Sequence, residues 1–128
     1  MTLDELADRL RDDVATREVD LLVLHGSRAR GDATPASDWD FAYVGDPNLD
    51  VIGLTLVITA ALGSDLVDLV DLATASALLR YRAGRDGVAL IERTPEAFLD
   101  FRLEATLFWC DVEPVVRAAH DDVLAVLR

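Results

Sequence analysis

Two aspartates one residue apart, Asp38 and Asp40, and a Gly-Ser pair ten residues upstream of them, Gly26-Ser27, carry the types and spacing that could do chemistry. The pattern is G-S-x10-D-x-D. On a β-strand alternate side chains share a face, so Asp38 and Asp40 stand together while Trp39, Phe41 and Tyr43 turn to the other side. Paired carboxylates repel unless a hard cation sits between their oxygens, and Mg²⁺ commonly uses one or two carboxylates together with substrate phosphates. The Gly-Ser turn supplies the complementary half. Glycine lets the backbone approach a phosphate, and free N–H groups with the Ser27 hydroxyl can donate to its oxygens. Arg28 and Arg30 are near enough in sequence to neutralise more of its charge. The second Gly-Ser pair, Gly63-Ser64, precedes no Asp-x-Asp and reads as a plain turn.

A third carboxylate is expected on a later strand at about 65–72, where two candidates stand in opposite parity. Asp68 shares a face with Leu66 and Val70, and Asp71 shares one with Val67 and Leu69, so only one of them can join Asp38 and Asp40 without a bulge. His25, at the end of the apolar run 19–24, reads as a strand-end residue. Arg80, Tyr81 and Arg82 could touch phosphate or nucleobase, although arginines near a helix end are usually solvated.

The stretch resembles the nucleotidyltransferase superfamily with the DNA polymerase β catalytic fold, specifically the minimal nucleotidyltransferases that act as antitoxins to HEPN-domain toxins. Gly26, Ser27, Ala29, Arg30, Gly31, Ser37, Asp38 and Asp40 fit the pattern G-S-x-A-R-G…S-D-x-D, and a weaker likeness runs through 67–72 and 78–81. Trp39 departs from it, standing where the family usually has an aliphatic residue. The resemblance implies two Mg²⁺ ions held by Asp38 and Asp40, with Asp68 rather than Asp71 as the third carboxylate. It implies that Gly26, Ser27, Arg28, Arg30 and Ser37 bind the phosphates of ATP, and that AMP passes to a tyrosine hydroxyl of a cognate HEPN RNase toxin, which is thereby neutralised. Two other readings stand beside this one: a small-molecule nucleotidyltransferase of the aminoglycoside type, and a non-catalytic antitoxin that acts by binding.

These residues need a scaffold, and 128 residues with 52% hydrophobic content suffice for one domain, 1–128, with a real core. Twenty-four acidic against twelve basic residues give a net charge of −12, which disfavours direct nucleic-acid binding and suits a basic protein partner. Every basic residue is arginine. No stretch has the length and freedom from charge of a membrane span, so a cytoplasmic protein is the expectation. The lone Cys110 reads as a small buried hydrophobe. A hetero-oligomer with the toxin is expected, with a homodimer as the alternative.

The element order follows from periodicity and turn signals. Thr2 and Glu5 form a capping box before an amphipathic helix over about 3–15. Strands are expected at 19–24, from Asp38 to Val44, at 65–72 and at 88–92. Helices are expected at 49–62, from Thr74 or Ser76 through about Ala83, and from Pro95 to the end, with Pro114 kinking or interrupting the last. The fold class is α/β, with a mixed sheet of about four strands. The apolar residues of 95–128 cover more than one face; either they all pack on the sheet or part of that surface meets another chain.

Overall fold

The computed structural model describes residues 1–128, and its centre is a four-stranded sheet in the order β3-β2-β1-β4. The strands are β1 (Val19–His25), β2 (Trp39–Gly45), β3 (Val67–Asp71) and β4 (Val88–Glu92). The β2/β3 pair is parallel and the other pairings are antiparallel, so the sheet is mixed as expected. The β1 run is apolar because it is one of the two inner strands and is buried on both faces, Leu21 through Leu24 each being at most 2% exposed.

Alternation along β2 sorts the two layers. Phe41 and Tyr43 enter one core with Leu22, Leu24, Leu6, Leu10, Leu54 and Ile58, which brings in the helices α1 (Leu3–Arg11) and α3 (Val51–Leu62). Ala42 enters the other core with Leu21, Val23, Ala83, Phe98 and Phe101, supplied by α4 (Ala77–Asp86) and α5 (Ala97–Leu127). A single helical turn, α2 (Ser27–Arg30), links β1 to the loop before β2.

Several boundaries differ from the expectation, β2 beginning at Trp39 and β3 spanning only Val67–Asp71 among them. The capping box at Thr2 and Glu5 forms, but α1 stops at Arg11 because Asp12 and Asp13 turn the chain into a 3₁₀ turn at Val14–Thr16. Val14 therefore faces solvent, and Thr16 is buried with its hydroxyl donating to Leu10 O at 2.6 Å. Ser76, not Thr74, caps α4, which runs past Ala83 to Asp86. Gly84 lies inside that helix because α5 crosses there, Arg102 Nε donating to Gly84 O at 2.7 Å. Pro95 does not open α5; Glu96, at φ 64°, precedes its first residue. Finally, α5 passes through Pro114 without interruption. Proline leaves the Cys110 carbonyl without its intrahelical donor, a loss that water makes good where both residues are exposed.

The helix α5 has 31 residues, about 46 Å at 1.5 Å per residue. Its first half covers the sheet through Phe98, Phe101 and Ala105, and from Pro114 onward every residue is exposed. Cys110 is exposed too, correcting the expectation of a buried hydrophobe. No helix is long and apolar enough to cross a membrane.

Candidate active site

The parallel register of β2 and β3 decides the parity question. Asp40 pairs with Asp68, so the two carboxylates leave the same face, the one that carries Ala42 and α4. Asp71 pairs with Tyr43 and so belongs to the opposite face. Its carboxylate accepts from Ala73 N at 2.9 Å and shapes the turn after β3. Burial, and then the Asp71 charge, push the Tyr43 phenol above its ordinary range.

Asp38 lies one residue ahead of β2 and is exposed. The Asp40 carboxyl is raised above the usual aspartate range, first by burial and further by the charges of Asp68 and Asp38, while His25 and Arg30 oppose the rise. Hard oxygen donors that repel one another in this way are the set a divalent cation relieves. No group of three or more carboxylate, histidine or cysteine side chains stands close enough to hold a metal ion by itself.

Gly26 shows why the turn and the carboxylate are one unit. Its backbone has φ 71° and ψ −158°, a conformation close to glycine-only, and a Cβ built there would overlap Asp40 Oδ2. The Asp40 carboxylate therefore rests on the bare backbone of the Gly-Ser turn. The first donor within α2 is Ala29, bonded to Gly26 O at 3.1 Å, so the N–H groups of Ser27 and Arg28 lie ahead of the helical bonding pattern. Gly31, at φ 85°, closes the turn.

His25 pairs with Asp40 across β1 and β2, and its buried Nε2 has no partner. Burial holds its imidazole below its ordinary pKa, against the pull of Asp40 and of the Phe41 backbone. His25, Gly26, Arg30 and Asp40 line a cleft of about 410 Å³ whose far wall is α4, through Ser76, Leu78, Leu79, Arg82 and Asp86.

Two of the expected phosphate ligands are placed elsewhere. The Arg28 guanidinium donates to Ser37 O at 2.9 Å and Pro35 O at 3.4 Å and lies over the Trp39 ring, 4.3 Å from its centroid. Ser37 Oγ accepts from Thr34 N at 2.8 Å. Both shape the loop that delivers Asp38; of the expected site residues only Gly26, Arg30 and Asp40 line the cleft, while Ser27, Asp38 and Asp68 lie outside its lining. Arg28 over Trp39 also accounts for an aromatic residue where an aliphatic one was expected. On α4, Arg80 is spent on the Leu72 carbonyl, on Glu104 at 3.7 Å and on the face of Phe101, and Tyr81 stacks on Trp109. Sequence reasoning placed the far wall poorly. Arg82 carried a signal only as one of three adjacent residues, Leu78 and Leu79 only through the weaker family likeness at 78–81, and Asp86 carried none.

Comparison with known proteins adds to this geometry. The family model described as Polymerase beta, Nucleotidyltransferase matches residues 8–96. The protein adenylyltransferase MntA of Aphanizomenon flos-aquae (strain 2012/KM1/D3) is 32% identical over 115 residues, covering 80% of this chain and 77% of that protein. A chain in the crystal structure of a toxin-antitoxin with AMP-PNP superposes with a TM-score of 0.76 at 29% identity, over 97% of this chain and 99% of that one. A chain from the complex of tri-AMPylated Shewanella oneidensis HEPN toxin with MNT antitoxin gives 0.70 at 28% identity, over 95% of each chain.

Proposed function

The chain belongs to the polymerase beta nucleotidyltransferase family, and from that premise we propose that it is a minimal nucleotidyltransferase antitoxin. It transfers AMP from ATP to a tyrosine hydroxyl of a cognate HEPN RNase toxin and so neutralises it. The relative named as a protein adenylyltransferase and the toxin-antitoxin structures with AMP-PNP and with an AMPylated toxin support this reading. The observation that carries it is the in-register pair Asp40 and Asp68 beside the bare Gly26 backbone.

Asp38, Asp40 and Asp68 are the residues that would hold Mg²⁺, two ions in all. When bound, Mg²⁺ supplies Lewis-acid compensation for the charge that develops on phosphate and attacking oxygen. The chain does the rest by position. The N–H groups and hydroxyl at Gly26-Ser27, with Arg30, grip the β and γ phosphates and hold the leaving pyrophosphate in line. The tyrosine oxygen forms its bond to the α phosphorus as the bond to pyrophosphate breaks, and Asp68 takes the hydroxyl proton. Asp68 is exposed on an edge strand, where a residue borne by another protein can reach it. Arg28 and Ser37 act through the loop and not on phosphate.

Residues 1–128 form one unit in which the first half of α5 packs on the sheet and the rest of the helix offers the toxin a surface. The exposed apolar residues of α5, among them Leu107, Phe108, Val116 and Val123, make that surface.

The test is mass spectrometry of the toxin after incubation with this chain, ATP and Mg²⁺. A gain of about 329 Da per AMP is expected through metal-assisted transfer. Asp38→Asn with Asp40→Asn should abolish the gain, and equal labelling by that double variant defeats the assignment. A toxin silenced without any gain in mass would favour inhibition by binding alone.

A further inference from the structure

The geometry points to Arg82 of α4 as a second triphosphate-binding cation, closing on the β and γ phosphates from the wall opposite the Gly-Ser turn. This rests on the nucleotidyltransferase reading and deepens it. Of the polar groups on the α4 wall, most are already engaged. The Ser76 hydroxyl accepts from Leu79 N at 3.2 Å as the helix cap. Asp86 is held by the neighbouring guanidinium of Arg85 at 2.9 and 2.8 Å. Arg82 makes neither an ion pair nor a side-chain hydrogen bond, although α4 is rich in both at Arg80 and Arg85. It is an exposed guanidinium lining the cleft with its donors unspent.

Across the cleft the other basic residue of the lining is Arg30, which holds only an exposed pairing with Asp32 at 3.3 Å. Arg30 and Arg82 line the same cleft, one from α2 and the other from α4, so they face one volume from two elements. A triphosphate carries several negative charges into a chain of net charge −12, beside Asp38, Asp40 and Asp68. One arginine on the turn side leaves the outer phosphates facing α4 without a counter-charge. Guanidinium groups suit that role, because their planar forks bind phosphate oxygens in pairs.

The test is binding of a non-hydrolysable ATP analogue and of AMP, both with Mg²⁺, to the full chain carrying Arg82→Ala, Arg82→Lys or no change. Arg82→Ala should weaken the analogue about tenfold or more, the worth of one charge-assisted contact, and AMP less than about threefold. Arg82→Lys should fall between. Equal losses for the two ligands, or no loss for either, overturn the proposal. A thermal melt accompanies each variant, and should Arg82→Ala be unstable, the same comparison is made with Arg82→Gln. If the unchanged chain binds no analogue, the parent reading fails and this one with it, an outcome distinct from selective binding that ignores residue 82.

Discussion

Asp40 and Asp68 occupy one register position of the parallel pair β2 and β3, so their carboxylates leave the same face of the sheet as neighbours. Asp71, three residues on, is on the other face and bonds its own turn. If shared face decides function, Asp68→Asn should lower AMP transfer to the toxin at least about 100-fold, the usual scale for removing a group aimed at the reacting centre. Asp71→Asn should stay within about threefold, since what it loses is one turn hydrogen bond. Initial rates of labelling for the two variants decide the matter, and the reverse ranking would reassign the third carboxylate.

Gly26 joins the turn to the pair. An alanine there must adopt φ near 71°, costing about 1–3 kcal/mol in a region that glycine alone enters readily, and its Cβ displaces the Asp40 carboxylate. The chain should still fold, with a melting temperature lower by several degrees. Transfer should fall much further than stability does, and a melt run beside a rate assay separates the two losses.

The raised Asp40 carboxyl fixes the sign of a pH effect. A folded-state pKa above the unfolded value means that the carboxyl's contribution to stability is present below about pH 4 and lost as pH rises through the folded value. At neutral pH the ionised Asp40 therefore burdens the metal-free fold. Asp40→Asn should raise the melting temperature at pH 7.5, with the gain shrinking toward pH 4. Added Mg²⁺ should stabilise the unchanged chain and have little effect on the variant. Melts at the two pH values, with and without Mg²⁺, check both statements.

The parts of the fold that local pattern controls were legible in advance. The apolar run of β1, the alternation of β2, and the Thr2 and Glu5 capping box each needed only neighbouring residues to be read. What escaped depends on distant ones. Gly84 looks like a helix stop until α5 is laid across it, and the end of α1 is set by a buried Thr16 that also accepts from Arg93 at 3.2 Å. Within the candidate site, the turn that carries Gly26-Ser27 and the strand that carries Asp40 were legible because both are local. The contacts of Arg28 and Ser37 were not legible because they are set by how the 32–38 loop folds back. The α4 wall was hard to foresee because only tertiary packing sets it against the turn.

Arg28 is a positioning residue by this account. It ties α2 to the carbonyls just before Asp38 and caps the Trp39 ring. Arg28→Ala should lower kcat for toxin labelling by about tenfold through misplacement of Asp38, with the KM for ATP changed by less than about twofold. Arg28→Lys should rescue little, because an ammonium cannot bridge two carbonyls while stacking on an indole. A rise in the KM for ATP without a fall in kcat would return Arg28 to the phosphates.

The distal half of α5 gives the last prediction. Val116 and Val123 lie seven residues apart, two helical turns, on a segment exposed at every residue, and they are 51% and 57% exposed. Valine is not a good helix former, so packing within this domain does not explain an apolar row there. Burial against another protein does. Val116→Glu with Val123→Glu should leave the melting temperature within about 2 °C, as surface changes usually do. The same variant should fail to co-purify with the toxin and should label it slowly at low concentration, with the rate recovering as toxin is added in excess. Undiminished co-purification would move the interface off α5 and leave that apolar row without an occupant.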